Sequence, residues 1–245
     1  MRSFLIALQF LTIFPVKIKG EIKEKEFGKS LIFFPLIGTI IGIILFLTLF
    51  LVDFLPDLVR STFILGVSIL ITGGIHLDGF ADTFDGFYGF KTKEERLNIL
   101  RDSKIGVIGA ISLFFLLLFK FVMIVSIKKA VLWKTLIIMP TYGRWNLVLA
   151  CYFSQYPREQ GKAKYFIENS KLSYVISGKI FTLFLFLFLF QLNGIILFVL
   201  PLPFLFLFIY WSKKKIGGMT GDTLGAMNEI SECLILLFSL LLNKN

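Results

Sequence analysis

The chain has 245 residues, 56% of them hydrophobic, with 30 phenylalanines and a formal charge of +10. Soluble domains are about 45–50% apolar, and a mean hydropathy of +0.83 excludes one here, so 1–245 reads as a single integral-membrane domain. The positive charge reads as the loop charge of a membrane protein rather than a nucleic-acid footprint, and Cys151 and Cys233 sit in apolar surroundings without metal-type spacing.

The first apolar run, Phe4–Val16, is short and ends at Pro15. It lacks a small-residue cleavage site, so it is expected to be retained, either lying at the interface or entering without crossing. Runs near the span length of about 20 residues follow at Leu31–Val52, Ser61–Ile75, Ile105–Ile127, Ala130–Phe153, Tyr174–Gln191 and Ile195–Trp211. The last run, Cys233–Leu242, reaches that length only if its helix begins near Asp222. The expected fold is all-α, a polytopic bundle of about six to seven transmembrane helices.

The intervening loops are asymmetric. Lys17–Lys29 carries five lysines, Lys91–Lys104 five Lys or Arg, Ser154–Ser173 four, and Ser212–Gly221 three. One crossing per span places all four loops on the same side. The other side holds Arg60, Lys128, Lys129, Lys134 and Lys244. Lys and Arg favour the cytoplasm, so the richer side is expected there, in a multi-pass protein of the cell (inner) membrane.

The stretch "GGIHLDGFADTFDGF" places Asp78, Asp82 and Asp85 at i, i+4 and i+7, one face of a helix. Three carboxylates beside lipid repel one another and are costly to bury. A divalent cation is the natural compensation, and oxygen-only ligands suit magnesium, manganese or calcium. His76, the one histidine of the chain, is either a general acid or base or a hydrogen-bonding residue at the helix edge. A second acidic stretch is "GGMTGDTLGAMNEISE". Gly217, Gly218 and Gly221 let its backbone curl, Thr220, Asp222 and Thr223 can cap a helix, and the amides of such a helix start suit phosphate. Asp222, Glu229 and Glu232 share roughly one face. In the third segment, "RLNILRDSKIGVIG", Arg96, Arg101 and Lys104 are candidates for phosphate pairing, and Asp102 and Ser103 either cap the next span or join that site. Arg144 lies inside a span, where an arginine is usually paired or functional. Lys120 also lies in a span but can snorkel. Acids for a metal, cations for phosphate and a membrane setting together suit phosphoryl transfer.

At these residues the sequence resembles the cobalamin synthase family, the adenosylcobinamide-GDP ribazoletransferases. The resemblance rests on the three motifs above in the family's order, with "ALQFLTIFPV" and "FFPLIGTIIG" near the beginning. It implies that adenosylcobinamide-GDP and α-ribazole 5′-phosphate (or α-ribazole) are joined with release of GMP, in a magnesium-dependent reaction. It also implies that Asp78, Asp82 and Asp85 bind metal with Asp222 completing the site, and that Asp82, Asp85 and His76 are candidates for the catalytic chemistry. Arg96, Arg101, Asp102, Ser103, Lys104, Arg144, Gly217, Gly218, Thr220 and Gly221 are the expected substrate and phosphate contacts. The lipid bilayer is an expected partner, nucleic acid is not, and a homo-oligomer is left open. A prenyltransferase would want two similar aspartate motifs, and a transporter would place its acids near the midplane; neither pattern is present.

Overall fold

The computed structural model describes residues 1–102 and 104–242, so the expectations for Ser103 and Lys244 lie outside the described residues. Among those described there are helices and no strand: α1 (Arg2–Leu11), α2 (Glu24–Ser30), α3 (Phe34–Leu51), α4 (Asp57–Thr72), α5 (Ile75–Phe87), α6 (Lys93–Ile99), α7 (Val107–Ser126), α8 (Lys129–Phe153), α9 (Lys162–Glu168), α10 (Leu172–Phe190), α11 (Asn193–Val199), α12 (Leu202–Ile216) and α13 (Gly221–Leu242).

Among the described residues five segments are long and apolar enough to cross a membrane: Glu24–Leu51, α7, α10, Asn193–Ile216 and α13. Helices α4 and α5 pass the same test only as a pair, bent by 88° at their junction as in a broken span or a re-entrant loop. The break falls at Gly73 and Gly74, both with positive φ (61° and 70°), a conformation that glycine reaches without steric cost. Backbone groups freed at such a break need partners inside a membrane. Gly73 and Gly74 donate to the carbonyls of Leu70 and Ile69, and the Ile71 carbonyl accepts the Ile13 amide at 2.8 Å. The segment just after α1 supplies that last bond. Arg2 of α1 pairs with Glu26 at 3.0 Å and donates to the Glu21 carbonyl, so the N-terminal segment runs in to the break and back to the same end of the bundle.

Helix α8 is the centre of the bundle. Its 25 residues are buried without interruption from Thr135 to Cys151. It is less apolar than a lipid-facing span because protein surrounds it and satisfies its polar groups. Thr141 bonds Thr39 at 3.0 Å, the Tyr142 hydroxyl donates to the Phe198 carbonyl at 2.8 Å, and Asn146 donates to Ser231 at 3.2 Å. Helix α3 packs on it through Gly38 and Gly42, a small-xxx-small pair of the kind that lets membrane helices approach closely. A methyl at Gly42 would stand 2.6 Å from the Ile137 Cα.

Side chains tie the loops into two ends. At one end Asp53 pairs with Lys129 and Arg60. At the other, Met219 donates its amide to the Gln155 carbonyl at 3.0 Å, and Arg158 reaches both the Leu97 carbonyl and Asp222. Gly28 packs against Asn169 at that same end. All four lysine- and arginine-rich loops therefore meet at one end of the bundle, as the count of spans required.

Candidate active site at the crossing of α5 and α13

Helix α5 carries the aspartate motif and packs against the start of α13. The approach is closest at Gly79, where an added methyl would stand 2.7 Å from the Asp222 carbonyl oxygen. Gly225 faces the His76 backbone in the same contact. These glycines bring two motifs more than a hundred residues apart into register. Beside the crossing opens a cleft of about 300 Å³ lined by Asp78, His76, Asp222, Arg158 and Lys162 together with aromatic and aliphatic side chains.

The structure does not gather every expected residue into this cleft. Asp78 and Asp222 line it from two helices. Asp82 lies one turn further along α5, among the charges of Asp78, Asp222 and Asp85 with Arg158 opposing them. Asp85 is engaged elsewhere, its carboxylate accepting the amides of Gly106 at 2.7 Å and Gly109 at 2.8 Å. It thereby caps the first turn of α7 from outside, one of the two roles open to Asp102 and Ser103 in the sequence. The same contact accounts for the glycines of "KIGVIG", because a methyl at Gly106 would stand 2.5 Å from the Asp85 carboxylate.

Asp222 accepts the Thr220 hydroxyl at 3.1 Å and Arg158 at 3.4 Å, and Thr220 and Thr223 exchange bonds that close the first turn of α13. Gly217, at φ 84°, ends α12 against Lys93, and Gly218 packs on the Gln155 carbonyl. Gly221 lines the cleft. Arg96 is buried and donates to the carbonyls of Gly86 and Gly89, both at 2.9 Å, so it clasps the C-terminus of α5, where helix carbonyls lack internal partners. Arg101, Asp102 and Lys104 are exposed and outside the cleft lining, and Asp102 accepts the Lys104 amide at 3.1 Å.

Deeper in the bundle, Arg144 pairs with Glu232, while Lys120 pairs with Glu229 and with Glu232 at 2.6 Å. Lys120 therefore does not snorkel: only 6% of its side chain is exposed. Glu229 and Glu232, one face with Asp222 on paper, are committed to this buried network, two positive charges against two negative ones. His76 stands between it and the cleft, buried, with its Nε2 unpartnered.

Arg158 was not singled out from the sequence. It sits in the loop after α8, where it counted only as one of four loop charges. Its side chain is 9% exposed, and its Nε is buried without a partner. The flanking Pro157 and Gly161, with φ 151° at Gly161, were the available signs of a built loop rather than a solvated one.

Fold and cleft together define a polytopic helical membrane protein with a charged, ligand-sized site at the basic end of its bundle. The family model described as cobalamin-5-phosphate synthase matches residues 3–240, and the chain belongs to that family, a class of transferases in cobalamin biosynthesis. It is 38% identical over 243 residues to an adenosylcobinamide-GDP ribazoletransferase of Alkaliphilus metalliredigens, covering 99% of this chain and 96% of the relative. It is 36% identical to one of Clostridioides difficile, with 99% and 98% covered, and 35% identical to one of Alkaliphilus oremlandii, with 100% and 99% covered. No solved structure gives a significant match.

Proposed function

We propose that this chain joins α-ribazole, or its 5′-phosphate, to adenosylcobinamide-GDP at the cytoplasmic face of the cell membrane. The ribazole 3′-hydroxyl oxygen bonds to the cobinamide-linked phosphorus and the bond from that phosphorus to GMP breaks. An acidic side chain of the site takes the hydroxyl proton, GMP leaves, and the product is adenosylcobalamin or its 5′-phosphate. The observation that carries the reading is the cleft, which joins carboxylates of two distant motifs to an arginine with a free donor. The full-length likeness to ribazoletransferases supplies the substrates, and the excess of Lys and Arg at the cleft end supports the cytoplasmic side.

The residues suit magnesium. It commonly takes one or two carboxylates plus substrate phosphates. Among the described residues neither the Asp78 nor the Asp82 carboxylate takes part in a hydrogen bond or ion pair, so their oxygens are open to a ligand, with Asp222 close to both charges from α13. Among the described residues no three acids converge closely enough to hold an ion by themselves, which leaves substrate phosphate to complete the shell. Bound there, the ion would neutralise phosphate charge. Arg158 does the complementary work: a planar fork holds phosphate through paired bonds, and its two present bonds both leave from one nitrogen, at 3.3 and 3.4 Å.

The test is purified protein in detergent or liposomes with both substrates, scored for GMP release. Release should require magnesium and stop with a chelator. Arg158→Ala should raise KM for adenosylcobinamide-GDP about tenfold or more, the scale of a lost charge-assisted bond. Absence of GMP release under these conditions would overturn the reading.

A further inference from the structure

We infer that the cleft is the subsite of the acceptor nucleoside: its aromatic base lies against an apolar wall and its ribose hydroxyl meets Asp78 and Asp222. The bulky corrinoid donor then presents its phosphates from outside. This rests on the transfer reading above and goes beyond it by assigning the two substrates to different places.

Size is the first argument. A cleft of about 300 Å³ is at the lower end of what encloses a drug-sized ligand. A two-ring base with its ribose fits such a space; a corrin ring carrying a nucleotide does not.

The walls are the second argument. Phe10 of α1, Phe34 of α3 and Phe166 of α9 all line the cleft. Their rings touch one another, with centroids 4.6 Å apart for Phe10 and Phe166 and 5.5 Å for Phe34 and Phe166, so they form one aromatic patch. Leu147 of α8 extends it. Arg158 and Asp222 touch each other and form a separate polar patch. One chamber thus offers an apolar surface for a flat, uncharged ring and a charged one for a sugar hydroxyl and phosphate. The third argument is the run of α1 inward to the bend between α4 and α5, which brings Phe10 to the cleft.

The experiment compares KM for each substrate in wild type, F10A and L147F, together with equilibrium dialysis of labelled α-ribazole on the donor-free protein. F10A removes one ring from a half-buried position near the N-terminus, and a thermal melt of each variant beside wild type separates a lost contact from a lost fold; L147F narrows the apolar end. Wild type should bind α-ribazole without donor. Each variant should raise KM for the acceptor about fivefold to tenfold and leave KM for adenosylcobinamide-GDP within about twofold. The inference is overturned if the donor KM rises instead, or if the acceptor KM stays within about twofold in F10A. A wild type without GMP release would defeat the transfer reading, while α-ribazole dialysis would still decide the subsite: binding weakened in F10A supports it, and no binding refutes it.

Discussion

Replacing Gly79 with alanine tests whether the crossing of α5 and α13 sets the geometry of the reacting centre. The new methyl would stand 2.7 Å from the Asp222 carbonyl oxygen and 2.8 Å from its Cα. Both are backbone atoms, so no rotamer change relieves the contact. Restoring an ordinary separation of 3.4 Å moves α5 about 0.7 Å from the first turn of α13, which draws Asp78 and Asp82 away from Asp222 and Arg158. Overpacking of this kind costs about 1–3 kcal/mol, and a shift near 1 Å at a reacting centre costs up to about 10²-fold in rate. The expected result is a kcat for GMP release lowered about tenfold to a hundredfold in protein that still inserts and purifies. Its thermal midpoint in detergent should fall by a few degrees, at about 2–4 °C per kcal/mol for a chain of this size. Gly66→Ala is the control, because a methyl there meets nothing within 4 Å; it should leave kcat unchanged and hold or slightly raise the melt. A Gly79→Ala protein as active and as stable as Gly66→Ala would refute the argument.

The acids of α5 should separate by readout: Asp85→Ala, which strips two amides of their cap, should lower stability by about 0.5–2 kcal/mol. Asp82→Asn, which breaks no protein hydrogen bond, should keep stability within about 0.5 kcal/mol and lose turnover; thermal melts beside GMP release distinguish the two. Lys120→Met leaves two buried glutamates short of a partner and should cost about 3–5 kcal/mol, seen as lost yield and a lowered melt. Adding Glu229→Gln should restore much of it, and no recovery would argue against a charge-balanced network. Cysteines placed at Lys25, Lys93, Lys164 and Lys214, in a chain with Cys151 and Cys233 replaced, should resist a membrane-impermeant thiol reagent in intact cells, whereas one at Lys129 should react. Labelling of the first four would invert the proposed sidedness.

The sequence alone located the apolar helices and grouped the basic loops, because lipid demands long apolar runs and the chain must return to the same side after every second crossing. That is why the four basic loops could be assigned to one end before any contact was known, and why the motifs of Asp78 and Asp222 could be assigned to the same side. What the spacing of residues could not supply was the far end of each side chain. Helical periodicity says that Asp78, Asp82 and Asp85 share a face; only the packing of α7 against that face diverts Asp85 to the amides of Gly106 and Gly109. Periodicity likewise aligns Asp222 with Glu229 and Glu232, but depth separates them, and the two glutamates meet Lys120 and Arg144 instead. Lys120 had an apolar stem and a route to the interface in one dimension; in three it is enclosed by α13. Arg96 and Arg158 are both arginines of the basic end, yet one is bound through both terminal nitrogens to helix-end carbonyls and the other keeps a buried donor free. A charge along the chain fixes on which side of the membrane a residue stands, through the free energy of moving that charge across lipid, whereas its role depends on short-range contacts with residues distant in sequence, which only the folded bundle brings together.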